Sequence, residues 1–181
     1  HAFGFIINDA NLIHYNINSE IDLMSEISEK VENSKKDIKA MIINFPSNPT
    51  AEICSLDFYK EIVPYAKKHD IILLSDLAYA EIYFDQNDRP PSILEVEGAK
   101  EIAVEFTSLS KSFSMPGWRM GFAVGNEYLI SALTRIKSYL DYGAFTPIQV
   151  ASAAALNSDD SVIDEIRDVY RQRRDVLVES F

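Results

Sequence analysis

Ile71-Ile72-Leu73-Leu74-Ser75-Asp76 decides the fold. Ile71–Ser75 is apolar at successive positions, so both faces of a strand here would be covered, as in a mainly parallel sheet. A carboxylate, Asp76, closes the run. Three further runs read the same way: Ala40–Phe45, Ala103–Ser108 and Met120–Val124. Upstream, Phe3–Asn8 and Leu12–Asn16 are expected to pair as strands around the turn Asp9-Ala10-Asn11. Between the runs the period changes to that of helices. Glu20–Glu32 carries Ile21, Met24, Ile27 and Val31 on one face, with Ser19 as its expected N-cap. Leu56–His69 repeats the pattern and contains Pro64, where a kink is expected. Asn126–Tyr139, Ile148–Asn157 and Val162–Phe181 follow. Alternating strand and helix, then helices alone, predict an α/β fold with a mainly parallel sheet flanked by helices. No repeat or low-complexity tract interrupts it, and Asp85–Pro91 reads as a surface loop.

The chain has 181 residues, the size of one domain, and 47% of them are hydrophobic, enough for a packed core. Its 17 basic and 28 acidic residues leave a formal net charge of −11. That balance disfavours nucleic acid and anionic membrane as partners. No apolar run approaches the roughly 20 residues that span a bilayer. Cys54 is the only cysteine, so no internal disulfide can form and a cytoplasmic location is expected. The first residues already read as strand and the last as uninterrupted helix. Residues 1–181 are therefore expected to be a single-domain piece of a longer protein.

Ligands of open α/β sheets sit beyond the carboxyl ends of the strands. Three such ends carry chemistry here. Lys111 follows Ala103–Ser108 in a stretch of small hydroxyl residues. It suits either a Schiff-base amine or an ordinary solvated loop lysine; a phosphate-binding P-loop is excluded because no GxxxxG precedes it. Asp76 suits a helix N-cap, a metal ligand or the counter-ion of a protonated heterocycle. Tyr79, three residues on, would face the same pocket across a tight turn, or would be plain core. Asn44-Phe-Pro-Ser-Asn48-Pro49 sets two Asn and two Pro in six residues, a rigid turn in which X-Pro bonds can be cis and Asn48 offers an amide. Arg119 suits a phosphate, a carboxylate or a structural ion pair. His1, His14 and His69 have no ligand spacing with one another or with Cys54, so no metal site is expected. Glu81, Asp85 and Asp88 read as solvated, as do Arg171, Arg173 and Arg174.

Taken together, NFPSNPT (Asn44–Thr50), SDLAY (Ser75–Tyr79) and SLSKSFSMPGWRMGF (Ser108–Phe122) resemble the cofactor site of class I, fold type I, aminotransferases. The resemblance runs through essentially the whole chain. It implies pyridoxal 5′-phosphate as cofactor, held by Lys111 as a Schiff base. Asp76 would pair with the pyridinium nitrogen. Tyr79 and Asn48 would hydrogen-bond the ring's phenolic oxygen. Ser108 and Arg119 would bind the phosphate, with Ser110 assisting. Within the family, DLAYAEIYFD and Ile136–Gln149 are most like the bacterial alanine (glutamate–pyruvate) transaminases, then the aspartate and LL-diaminopimelate aminotransferases.

The resemblance also implies what should lie elsewhere. The phosphate-binding loop, the aromatic that stacks on the cofactor and the carboxylate-clamping arginine are expected outside residues 1–181. A homodimer is expected, with Tyr142–Pro147 reaching toward the partner's cofactor phosphate. Two other functions fit the same residues: a pyridoxal-phosphate lyase or synthase, and the effector-sensing domain of a transcription regulator.

Overall fold

The computed structural model describes residues 1–18 and 21–181. Four strands form one sheet in the order β1-β2-β3-β4. They are β1 (Ala40–Asn44), β2 (Ile72–Asp76), β3 (Ala103–Ser108) and β4 (Gly121–Gly125). β1, β2 and β3 run parallel, and β4 returns antiparallel along β3. The sheet is thus mainly parallel at the centre and mixed at its β4 edge.

Around it lie α1 (Ala2–Ile6), α2 (Leu23–Glu32), α3 (Leu56–Lys68), the short α4 (Leu109–Ser112), α5 (Glu127–Leu140), α6 (Thr146–Leu156) and α7 (Ser161–Glu179). Local chemistry sets their starts. Asp22 caps α2 by accepting from the Met24 amide, Ser55 caps α3 through the Phe58 amide, and Asn126 caps α5 through the Leu129 amide. The expected cap Ser19 lies outside the described residues. α3 continues through Pro64. α6 begins at Thr146, with Pro147 in its first turn, where a missing N–H costs nothing.

The core lies between the sheet and α2 and α3. Ile43, Leu73 and Ala103 from three strands and Tyr59, Ile62 and Ala66 from α3 are all completely buried. Ile27 of α2 and Ile93, in a one-turn 3₁₀ helix, close it.

Three expectations are corrected. Phe3–Asn8 is not a strand: Ala2–Ile6 is helical, and Phe3 and Ile7 are 80% and 83% exposed. A short apolar run carries no period that separates buried strand from helix, and no neighbouring strand recruits this one. Leu12–Asn16 forms no ladder either. It is fastened by a side chain, the Tyr15 hydroxyl donating to the Ile42 carbonyl at 2.7 Å. β4 is a strand as expected, but it is not covered on both faces, since Phe122 and Val124 are 39% and 47% exposed. Its ends need glycine. Gly125 has φ +146° and backs onto the Ala103 carbonyl, and a Cβ on Gly121 would lie 2.6 Å from the Thr107 carbonyl oxygen. Among the described residues, no helix is long and apolar enough to cross a membrane.

Candidate active site

Sheet register gathers the predicted residues on one edge. Asn44 pairs with Asp76 and Asp76 with Phe106, so the carboxyl ends of β1 and β2 lie level and β3 runs two residues further, to Ser108. Ser108 pairs with Gly121, so β4 starts at that same edge, two residues after Arg119. Three stretches of chain, the turn after β1, the turn after β2 and the connection from β3 to β4, thereby bring Asn48, Asp76 with Tyr79, and Ser108–Lys111 with Arg119 to this edge.

The turn after β1 contains cis peptides at Phe45–Pro46 and Asn48–Pro49. It presents the Asn48 amide, which donates to the Tyr79 hydroxyl at 3.3 Å. Asp76 ends β2, and its Oδ1 accepts from the Ala78 amide at 3.3 Å, which turns the chain toward Tyr79. The two side chains are thus fixed on the two sides of one short turn. The Asn44 side chain ties β1 to that turn by donating to the Asp76 carbonyl.

Ser108 ends β3 and caps α4 by accepting from the Ser110 amide at 3.2 Å. One turn on, Lys111 Nζ lies 5.3 Å from the centroid of the Tyr79 ring. Lys111 forms no ion pair among the described residues, so its amine is not committed to a carboxylate. Arg119 is exposed, has left-handed backbone (φ 54°) and donates from Nη1 to the Pro116 carbonyl. It too lacks an ion-pair partner among the described residues.

His1 was not expected here. Its Nε2 lies 2.6 Å from Asp76 Oδ2. The half-buried carboxylate therefore already meets the nitrogen of an aromatic heterocycle. No local pattern marks His1, because its partner is 75 residues away.

A cleft of about 760 Å³ opens beside Asn48 and Tyr79, walled by Tyr83, Phe84, Asp88 and Arg174. Two expectations change at its margin. Arg174 is not merely solvated: it pairs with Asp175, and its guanidinium lies 4.4 Å from the Phe84 ring. Glu81 is bound by the buried Arg167. Arg171 is half-buried and paired with Asp168.

Beneath the edge runs a buried polar network. Glu105 of β3 accepts from the Ser75 and Ser92 hydroxyls at 3.2 and 2.7 Å and from the Ile93 amide at 3.0 Å. Burial raises its carboxyl above the ordinary value despite these donors. Burial also pushes the Tyr59 hydroxyl up strongly and the Cys54 thiol up to about 11. Cys54 is thus a protonated packing residue.

The donor set fits pyridoxal phosphate. It offers an amine without a carboxylate partner, a carboxylate able to hold a protonated ring nitrogen, a paired hydroxyl and amide for a phenolic oxygen, and hydroxyls with a guanidinium that meets no carboxylate among the described residues for a phosphate.

Comparison with known proteins agrees. The family model for aminotransferase class I and II matches residues 1–181. The chain is 59% identical over 181 residues to AatC of Rhizobium meliloti (strain 1021), assigned as an aminotransferase. It is 47% identical over 178 residues to the glutamate–pyruvate aminotransferase AlaC of Escherichia coli (strain K12). The matches take in 100% and 98% of this chain but 44% and 43% of those proteins, so the chain spans less than half their length. Among solved structures, an aminotransferase from Staphylococcus aureus superposes with a TM-score of 0.84 at 31% identity, over 95% of this chain and 45% of that one. Members of this family use pyridoxal phosphate. With a matching sheet edge and a family match along its whole length, the chain belongs to the class I and II aminotransferases.

Proposed function

We propose that the protein is a pyridoxal-phosphate-dependent transaminase, moving the amino group of an L-amino acid to 2-oxoglutarate to give a 2-oxo acid and glutamate. Alanine is the favoured donor and aspartate the next. The observation that carries this reading is the convergence of Lys111, Asp76, the Asn48–Tyr79 pair and Arg119 on one sheet edge. The preference for alanine rests on the likeness to AlaC, a glutamate–pyruvate aminotransferase.

When bound, pyridoxal phosphate supplies an electron sink for the charge left when a proton leaves the substrate's Cα. The residues of this chain do the rest. Lys111 holds the cofactor through its amine and, once released, takes and returns the Cα proton as general base and acid. Asp76 keeps the ring nitrogen protonated, and His1 at 2.6 Å orients that carboxylate. Asn48 and Tyr79 donate to the phenolic oxygen. Arg119, Ser108 and Ser110 hold the phosphate, the arginine as a planar fork. The working unit is a homodimer in the cytoplasm, each protomer sending Tyr142–Pro147 toward its partner's cofactor phosphate.

The test is a visible absorbance spectrum of the whole protein with pyridoxal phosphate, beside Lys111→Ala. In the native protein a cofactor band forms, bleaches with alanine and returns with 2-oxoglutarate. The variant loses the band and at least about 100-fold of the rate. A band that ignores alanine but answers another amino acid corrects the donor alone. Pyruvate and ammonia from alanine without a keto acid point to a lyase. No Lys111-dependent band refutes the reading.

A further inference from the structure

Arg167 is the one charged residue of α7 whose side chain is nearly sealed from water, at 7% exposure. A buried cation persists only where its donors are satisfied, and all three of its nitrogen groups are. Nε donates to the Glu81 carbonyl at 3.1 Å and Nη2 to the Glu81 carboxylate at 3.3 Å. Nη1 donates to Asp164 at 2.6 Å, and the guanidinium lies 3.9 Å from the Tyr83 ring centroid. Two arms of one fork thus grip the main chain and the side chain of a single residue, two positions beyond Tyr79.

The other end of this segment is tied to the sheet. The Leu77 amide donates to the Phe106 carbonyl at 2.8 Å and the Ala78 amide to Asp76. Between the two anchors the chain folds on itself, Ala80 to the Leu77 carbonyl and Ile82 to the Tyr79 carbonyl at 3.0 Å. Tyr79 is therefore slung between the edge of the sheet and a helix 86 residues away in sequence. We propose that Arg167 is a positioning residue: by gripping Glu81 and stacking on Tyr83, it sets where the Tyr79 hydroxyl meets Asn48 and the cofactor. This rests on the assignment of Tyr79 to the cofactor's phenolic oxygen.

The fork matters more than the charge. A lysine offers a point charge and cannot hold a carbonyl and a carboxylate in one plane. The consequence reaches the cofactor through the proton balance of its phenolic oxygen, which Tyr79 tunes by donating to it.

The experiment uses the whole protein loaded with pyridoxal phosphate and four variants: Tyr79→Phe, Arg167→Gln, Arg167→Lys and the double variant Tyr79→Phe/Arg167→Gln. The main readout is the pH midpoint of the cofactor's visible band, with cofactor Kd, kcat and thermal stability alongside. Tyr79→Phe moves the midpoint, and Arg167→Gln moves it the same way. The double variant moves it no further, because both changes remove one contact. Arg167→Gln also raises the cofactor Kd by roughly tenfold, the scale of one hydrogen bond. Its kcat falls by up to about 100-fold, the loss a ~1 Å displacement can cause. Arg167→Lys regains thermal stability and keeps the shifted midpoint. A native midpoint in Arg167→Gln overturns the proposal, however much stability is lost. So does an additive shift in the double variant. A native midpoint in Tyr79→Phe removes the assignment of Tyr79 itself, and the proposal with it. Should Arg167→Gln not fold, Glu81→Ala removes the side-chain arm of the grip and leaves the carbonyl arm, and a midpoint identical to native there also overturns the proposal.

Discussion

The sheet from β1 to β3 and the helix α5 treat their apolar residues in opposite ways. Ile43, Leu73 and Ala103 have no exposed surface, and α3 packs on them through Tyr59, Ile62 and Ala66. In α5 no residue is buried, and Tyr128, Tyr139 and Leu140 are 80%, 78% and 77% exposed. The contrast divides labour. The sheet edge that holds Asp76 and Ser108 inherits its rigidity from a closed core. The helical part touches the segment after Tyr79 at particular points, among them the Arg167 grip on Glu81. Its remaining apolar surface is free to meet another surface, as the proposed dimer requires.

The contrast breaks first, if it is wrong, at Leu73. Truncating this fully buried residue to alanine removes methyl groups from the core that α2 and α3 close, and leaves a cavity. Leu73→Ala is expected to cost about 2–5 kcal/mol in urea unfolding. A loss below about 1 kcal/mol, ordinary for exposed positions, would mean the sheet is not the rigid half.

The same contrast explains what could be read without a structure. β1, β2 and β3 were legible because unbroken apolar runs mark strands of a mainly parallel sheet, although buried and half-buried positions alternate along β1 and β2. Phe3–Asn8 satisfies that rule equally well and is a helix followed by coil, because the rule describes composition and not the presence of a strand to pair with. The direction of β4 was not legible: nothing in Met120–Val124 encodes that Ser108 and Gly121 sit opposite each other. Asn48, Asp76, Tyr79, Lys111 and Arg119 could be singled out as a candidate set because each lies in a local motif near a strand end. His1 and Arg167 were not, because their partners lie 75 and 86 residues away and the residues around them carry no sign of it. Glu81 was misread for the same reason, its charge being answered from α7.

A smaller effect sharpens the rigid half. Glu105 is a carboxyl within that core, and burial, the main cause, holds its pKa above the ordinary 4.5 while Ser92, Ile93 and Ser75 pull it down. The folded protein therefore keeps a proton that the unfolded chain gives up. This contribution to stability is whole below pH 4.5 and fades as pH rises through the raised value. The slope is at most about 1.4 kcal/mol per pH unit. Unfolding midpoints measured from pH 4 upward should fall in the native protein and flatten in this range in Glu105→Gln. Equal slopes in the two proteins would show that Glu105 is ionised at no cost.

The smallest effect on the folded protomer is expected at Leu140, and it separates two meanings of an exposed apolar face. If α5 is only solvated surface, Leu140→Ala changes nothing that can be measured. If α5 forms part of a homodimer contact, the protomer's own stability still moves by less than about 0.5 kcal/mol, because 77% of Leu140 already faces water. Self-association then weakens instead, by roughly tenfold or more for a residue buried at the contact. Sedimentation equilibrium on the whole protein reads the second quantity directly, and chemical unfolding at low concentration reads the first. An unchanged dimer constant would place the proposed contact elsewhere, with Tyr142 and Phe145, 92% and 71% exposed in the following turn, as the next residues to vary. A dimer weakened with an unmoved protomer would establish that the open half of the molecule is held by its partner, and the closed half by itself.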